Sequence, residues 1–151
     1  MKKFLPVVFS LLILTSVTVF AQRSPAPAID RDPLLEQDAK HNLDVAWQAF
    51  GPARKAYKQV IGRFEETYAA YPDFSKMDEF LYLAGMSSYY LSDNKGKQKL
   101  DPKSAKDKDK YSPEKLKENA AAYLATLVDK YPESKYRPEA ESTLKLIKDG
   151  K

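Results

Sequence analysis

The tripeptide Tyr71-Pro72-Asp73 returns 60 positions later as Tyr131-Pro132-Glu133, and each copy closes a stretch with helical apolar spacing. The preceding residues correspond as well: Val60 falls on Ala120, Phe64 on Leu124 and Tyr68 on Val128, so the same face is apolar in both copies. Proline lacks an amide hydrogen and clashes with the preceding turn, so each tripeptide marks a helix end. Two helices that end alike, each followed by another helix, describe stacked hairpins that bury one another's faces. No alternating pattern is long enough for a strand, and the expected class is all-α.

The helices themselves are well punctuated. Asp32-Pro33 supplies an N-cap and a first-turn proline, opening a helix to about Phe50 whose stripe is Leu43, Ala46, Trp47 and Phe50. Gly51-Pro52 is read as its stop and the start of a second helix, with Ala53, Tyr57, Val60, Ile61, Phe64, Tyr68 and Tyr71 on one face. Ser75, three residues before Asp78, resembles a capping box for a third helix from Lys76 to about Leu91. Ser112-Pro113 opens another, carrying Leu116, Ala120, Tyr123, Leu124, Leu127, Val128 and Tyr131. The last follows Arg137-Pro138, with Ala140, Thr143, Leu144 and Ile147 apolar and Gly150 as its stop.

The third helix is apolar on every side, through Phe80, Leu81, Leu83, Ala84, Met86, Tyr89 and Leu91, and is expected at the centre of the stack. Between it and the next helix, residues 93–112 hold seven lysines and four aspartates with Gly96 and Pro102. This lysine-rich insertion is expected to be disordered, with neither helix nor strand. Its lysines suit an acidic partner or peripheral association with anionic headgroups, whereas the interleaved aspartates favour a plain solvated loop.

Ala120, Leu124, Leu127 and Pro132 occupy the small, bulky, small-or-apolar and proline positions of a tetratricopeptide second helix. Over roughly Ala53 to Ile147 the chain resembles the tetratricopeptide superfamily. The resemblance is to its exported branch in particular, which contains the D subunit of the outer-membrane β-barrel assembly machinery. With Gly85 as the family's glycine, Leu81 fits the bulky position, while Ala84 and Ser88 stand where leucine and an aromatic are usual. The resemblance implies a short stack of antiparallel hairpins whose first helices line a groove for a protein or peptide partner. On this register the groove residues are Glu79, Tyr82, Met86, Tyr89 and Tyr90. Aromatics suit such work because they offer contact area with few torsions to freeze. The competing reading has the same tyrosines packed against the neighbouring helices.

Residues 1–21 read as an export signal: Lys2 and Lys3, an apolar run from Phe4 to Phe20, and cleavage between Ala21 and Gln22. An uncleaved anchor is the rival, but the run is shorter than the ~20 residues needed to span a bilayer. Residues 22–32, with two prolines, form an expected flexible lead-in to a helical domain at 33–149. The sequence has no cysteine, so no disulfide or thiolate is available, and the expectation is a protein without a lipid anchor. It is placed in the periplasm or against the outer membrane.

Chemistry finds little to build on. The formal charge of +4 lacks the basic stripe that a nucleic-acid surface needs. His41 is the lone histidine, and no metal-ligand spacing or glycine-rich phosphate loop occurs. The neighbours Glu65-Glu66 and Asp78-Glu79 diverge by about 100° on a helix and do not converge on a substrate. No catalytic residue, cofactor or metal is expected. The resemblance implies, beside this empty inventory, an envelope interaction adaptor of outer-membrane assembly. The alternatives are a periplasmic coordinator of cell-wall or Tol–Pal processes and, behind that, an accessory domain of an envelope enzyme.

Overall fold

The structure, a computed structural model, describes residues 31–150 apart from Lys99 and Pro102. The expected signal, its Ala21–Gln22 cleavage site and all but the last two residues of the lead-in lie outside the described residues. Among the described residues six helices follow one another: α1 (Pro33–Phe50), α2 (Tyr57–Ala70), α3 (Met77–Ser92), α4 (Ala105–Lys110), α5 (Pro113–Lys130) and α6 (Arg137–Lys148). No strand occurs among the described residues.

The Asp32 carboxylate caps α1, accepting from the Leu34 and Leu35 amides at 2.8 and 3.4 Å, as its place before Pro33 predicts. Ala39, Leu43, Ala46 and Ala49 are buried, and the larger Trp47 and Phe50 sit half-buried beside them.

The second helix does not begin at Pro52. The Arg54 and Lys55 amides instead donate back to the Gly51 carbonyl, and Lys55 adopts a φ of 45°. The chain thus turns through Gly51–Arg54 before α2 starts at Tyr57, without a side-chain cap. Val60, Ile61 and Phe64 then point inward as expected, whereas Tyr68 is 42% exposed.

The expected capping role of Ser75 is also corrected. Its hydroxyl and amide both donate to Glu36 on α1, and α3 begins without a side-chain cap. An ionised acceptor makes a stronger hydrogen bond than a neutral one, so the bond to the neighbouring helix wins over the local one.

α3 is the central element. Every residue from Phe80 to Tyr89 is buried, because α2, α5 and α1 all pack on this helix. Gly85 is what lets α5 come so close. A Cβ there would lie 2.6 Å from both Cγ and Cδ2 of the fully buried Leu124. α5 answers with Leu116, Ala120, Leu124 and Leu127, and α6 closes on α5 through Ala140 and Thr143.

The sequence repeat is a structural repeat. At the first tripeptide the Tyr71, Phe74 and Met77 amides donate to Thr67, Tyr71 and Phe74, and 60 positions later Tyr131, Ser134 and Arg137 donate to Leu127, Tyr131 and Ser134. Both elbows therefore send the next helix off in the same way. α1 with α2, and α3 with α5, form two hairpins, and α6 adds a further first helix. Ring contacts place α1, α3 and the start of α6 in one layer, and Phe64 against Tyr123, at 4.8 Å, joins α2 to α5 in the other. This is a tetratricopeptide-like stack.

A helix forms where none was expected, over Ala105–Lys110 within the insertion. Ser104 caps it by accepting from the Asp107 amide, and Asp107 reaches Lys58 on α2 at 2.5 Å. Lys110 bridges to Glu65 at 2.5 Å, and Tyr111 is buried with Tyr57, Ile61, Leu91 and Leu116. Six residues with no apolar stripe are helical because α2 supplies counter-charges and a slot for the ring that follows them. Among the described residues no helix is long and apolar enough to cross a membrane.

Candidate functional site: an aromatic face between the first helices

The layer built by α1, α3 and α6 carries a continuous strip of rings. Tyr82 stacks on Tyr136 with centroids 4.5 Å apart and planes 17° off parallel. Trp47 lies against both, at 6.4 Å from Tyr82 and 6.2 Å from Tyr136. Phe50 extends the strip to Tyr57 and Tyr90, themselves 5.4 Å apart. Helical spacing explains the alignment: Glu79, Tyr82, Met86 and Tyr90 recur every three or four residues of α3.

Carboxylates hold the rings in place at one end. The Trp47 indole donates to Glu79 at 2.5 Å, and the Tyr82 hydroxyl donates to Glu139 at 2.8 Å. Burial, reinforced by the Glu139 carboxylate, pushes the Tyr82 phenol well above its usual range. Burial and the charge of Glu79 do the same for Tyr136. Both phenols are therefore fixed as neutral hydrogen-bond donors.

The other end opens into a cleft of about 520 Å³ lined by Phe50, Gly51, Pro52, Lys55, Tyr57, Tyr90 and Lys95. The Lys95 ammonium lies 5.6 and 5.9 Å from the Tyr89 and Tyr90 ring centroids and 2.9 Å from Asp93. Its pKa is raised, first by the hydrogen bond to Asp93. Lys55 is exposed on the opposite lip.

The five residues expected in the groove are brought to this layer, but unequally. Glu79 and Tyr90 are half-buried. Tyr82, Met86 and Tyr89 are buried, Met86 with its sulfur 3.5 Å from the Thr143 hydroxyl. The surface left to a partner consists of Trp47, Phe50, Tyr90 and Tyr136, with Glu79, Glu139, Lys55 and Lys95 around it. Sequence reasoning overlooked Tyr136, Glu139 and Lys55 as site residues, and weighed Lys95 only among the lysines of the insertion. Trp47, the one tryptophan, was legible only as part of a buried stripe. His41 is exposed on α1, and among the described residues no three His, Cys, Asp or Glu side chains converge to hold a metal ion.

The fold thus defines a class, a short stack of tetratricopeptide-like hairpins with an aromatic inner layer. Residues 33–150 match the family described as outer membrane lipoprotein, YfiO, and the chain belongs to that family. Neither the curated proteins nor the solved structures contain a match to the chain. Because the family is described as a lipoprotein, the expectation of a chain without lipid gains no support from the match.

Proposed function

We propose that the protein is a non-catalytic adaptor of the bacterial envelope, engaged in outer-membrane assembly, and that it grips a protein partner along the strip from Trp47 to Lys95. Membership of a family described as outer membrane lipoprotein supports the location, and the resemblance to the barrel-assembly subunit suggests the assembly role. The strip itself carries the binding reading. Trp47, Phe50, Tyr90 and Tyr136 come from α1, α3 and the elbow before α6, remain partly exposed, and are braced by Glu79 and by Tyr82, which Glu139 anchors. Interface centres favour this combination of large rigid rings with few free torsions. The rest of the face offers shape and hydrogen-bonding groups.

The test is site-specific photocrosslinking in intact envelopes, with the reactive group at position 136 or 50 and, as control, at the exposed Glu118. Crosslinks from 136 and 50 to components of the barrel-assembly machinery, absent from 118, are the expected result. Crosslinks to cell-wall enzymes or Tol–Pal proteins instead would move the protein to that process.

A further inference from the structure

The open end of the strip has chemistry of its own. Its walls are the Phe50, Tyr57 and Tyr90 rings, and its lips carry Lys55 from the α1–α2 turn and Lys95 from the end of α3. Arg54 and Lys97 are exposed next to these lips in sequence, and the nearby carboxylates are Asp93, paired with Lys95, and Glu139, whose charge reaches the Tyr90 phenol.

Lys55 is set there against its own backbone preference. Its φ of 45° lies in the left-handed region, where glycine or asparagine is the undemanding choice. The surroundings leave it no other conformation. Its amide donates to Gly51 at 2.9 Å, its carbonyl accepts from the Lys97 amide at 3.0 Å, and the next amide, of Ala56, is tied to Ala49 at 2.8 Å. A lysine kept in a strained position on the rim of an aromatic cleft is the kind of outlier from which a binding role is inferred.

We propose that this cleft is the specificity pocket of the adaptor, and that it takes a partner segment in which an acidic side chain stands next to an aromatic or large apolar one. This rests on the adaptor reading above. The apolar side chain enters between Phe50 and Tyr90, and the carboxylate meets Lys55 and Lys95. The acid is taken to be a side chain of the segment, whose remaining length follows the strip from Phe50 to Trp47. A flat anionic membrane is the poorer fit, since it would meet Glu79 and Glu139 on the same face together with the lysines, whereas one carboxylate seated at the cleft meets Lys55 and Lys95.

The probe is a heptapeptide with one central phenylalanine-glutamate pair flanked by glycine and serine, acetylated and amidated so that it has no terminal charge. It is titrated against the purified full chain and followed by Trp47 emission. The expected result is saturable binding, at least tenfold weaker when glutamine replaces glutamate, and weakened by salt. Lys55→Glu with Lys95→Glu should lose at least tenfold in affinity with an unchanged melting curve. Lys55→Gly separates the roles of that residue: relief of the left-handed strain raises the melting temperature, while loss of the cation weakens the peptide. Equal binding of the glutamine peptide, indifference to the charge reversal, or binding only by a peptide with a free C-terminus would each overturn the pocket. So would charge-dependent binding to phosphatidylglycerol vesicles with the peptides ignored. The photocrosslinks at position 136 report on the adaptor reading independently of these outcomes.

Discussion

Trp47 on α1 donates its indole N–H to the Glu79 carboxylate on α3 across the gap between the two first helices, at 2.5 Å. Adjacent hairpins are thereby joined by a charged acceptor and an aromatic donor on the face that the partner is proposed to see. Glu79→Ala leaves the half-buried indole without its acceptor, and a loss of about 1 to 3 kcal/mol in stability is expected. Denaturant unfolding measures the loss, and Trp47 emission should shift as its surroundings change. Glu79→Gln keeps an acceptor and should lose less.

A second prediction concerns the closest helix approach. Gly85→Ala forces a methyl to within 2.6 Å of Leu124 and should destabilise by about 1 to 3 kcal/mol, despite the better helix propensity of alanine. Leu124→Ala alone should cost about 2 to 5 kcal/mol through the cavity it leaves. In the double variant the new methyl occupies part of that cavity, so the two effects should sum to less than their separate values. Strict additivity in unfolding free energies would mean that α3 and α5 do not meet at these residues.

The insertion offers a third. Tyr111 anchors α4 in the minor core, so Tyr111→Ala should cost about 3 to 5 kcal/mol and speed amide exchange over Ala105–Lys110 before that of α3. Unchanged exchange over Ala105–Lys110 would show that this docking does not depend on the ring.

The tyrosines of the strip predict a pH dependence. The Tyr82 and Tyr136 phenols have folded pKa values raised above the ordinary 10.0, so the folded state holds protons that the unfolded state releases. Stability from this source is fully present below pH 10, and it falls as pH rises beyond. Melting temperature should therefore decline on the alkaline side, and phenolate absorbance from these two rings should appear only with unfolding. Tyr82→Phe removes one ionising group and should flatten the decline.

Much of the fold is legible because proline and capping residues announce it. Asp32-Pro33 and Ser112-Pro113 each set a helix start, and the two Tyr-Pro elbows set the repeat. The misreadings arise where a local signal has a distant competitor. Ser75 has the spacing of a cap but is drawn to Glu36, 39 residues away. Pro52 has the look of a first helical residue, but the carbonyl of Gly51 holds the chain in a turn until Lys55. α4 has no apolar periodicity to betray it, and only Ser104, three residues before Asp107, hints at its start.

The site is less legible for a related reason. α3 is apolar on all sides, so its pattern does not tell a ring that faces a groove from one that faces a helix. Tyr82, Met86 and Tyr89 therefore looked available and are buried. Tyr136 lies in the elbow just before α6, outside any periodic stretch, and only the fold brings it over Tyr82.

The enclosure of α3 has a consequence for how recognition proceeds. A helix gripped from three directions cannot shift on its own without opening the whole interior, so the rings it carries are mounted on fixed ground. On the proposed reading an incoming chain meets Tyr90, and the rings packed on Tyr82 and Tyr90, already in place, and bears most of the ordering entropy itself. Affinity should then follow how stiff or floppy the visitor is, and capture should show a single kinetic phase with no slow rearrangement of the host.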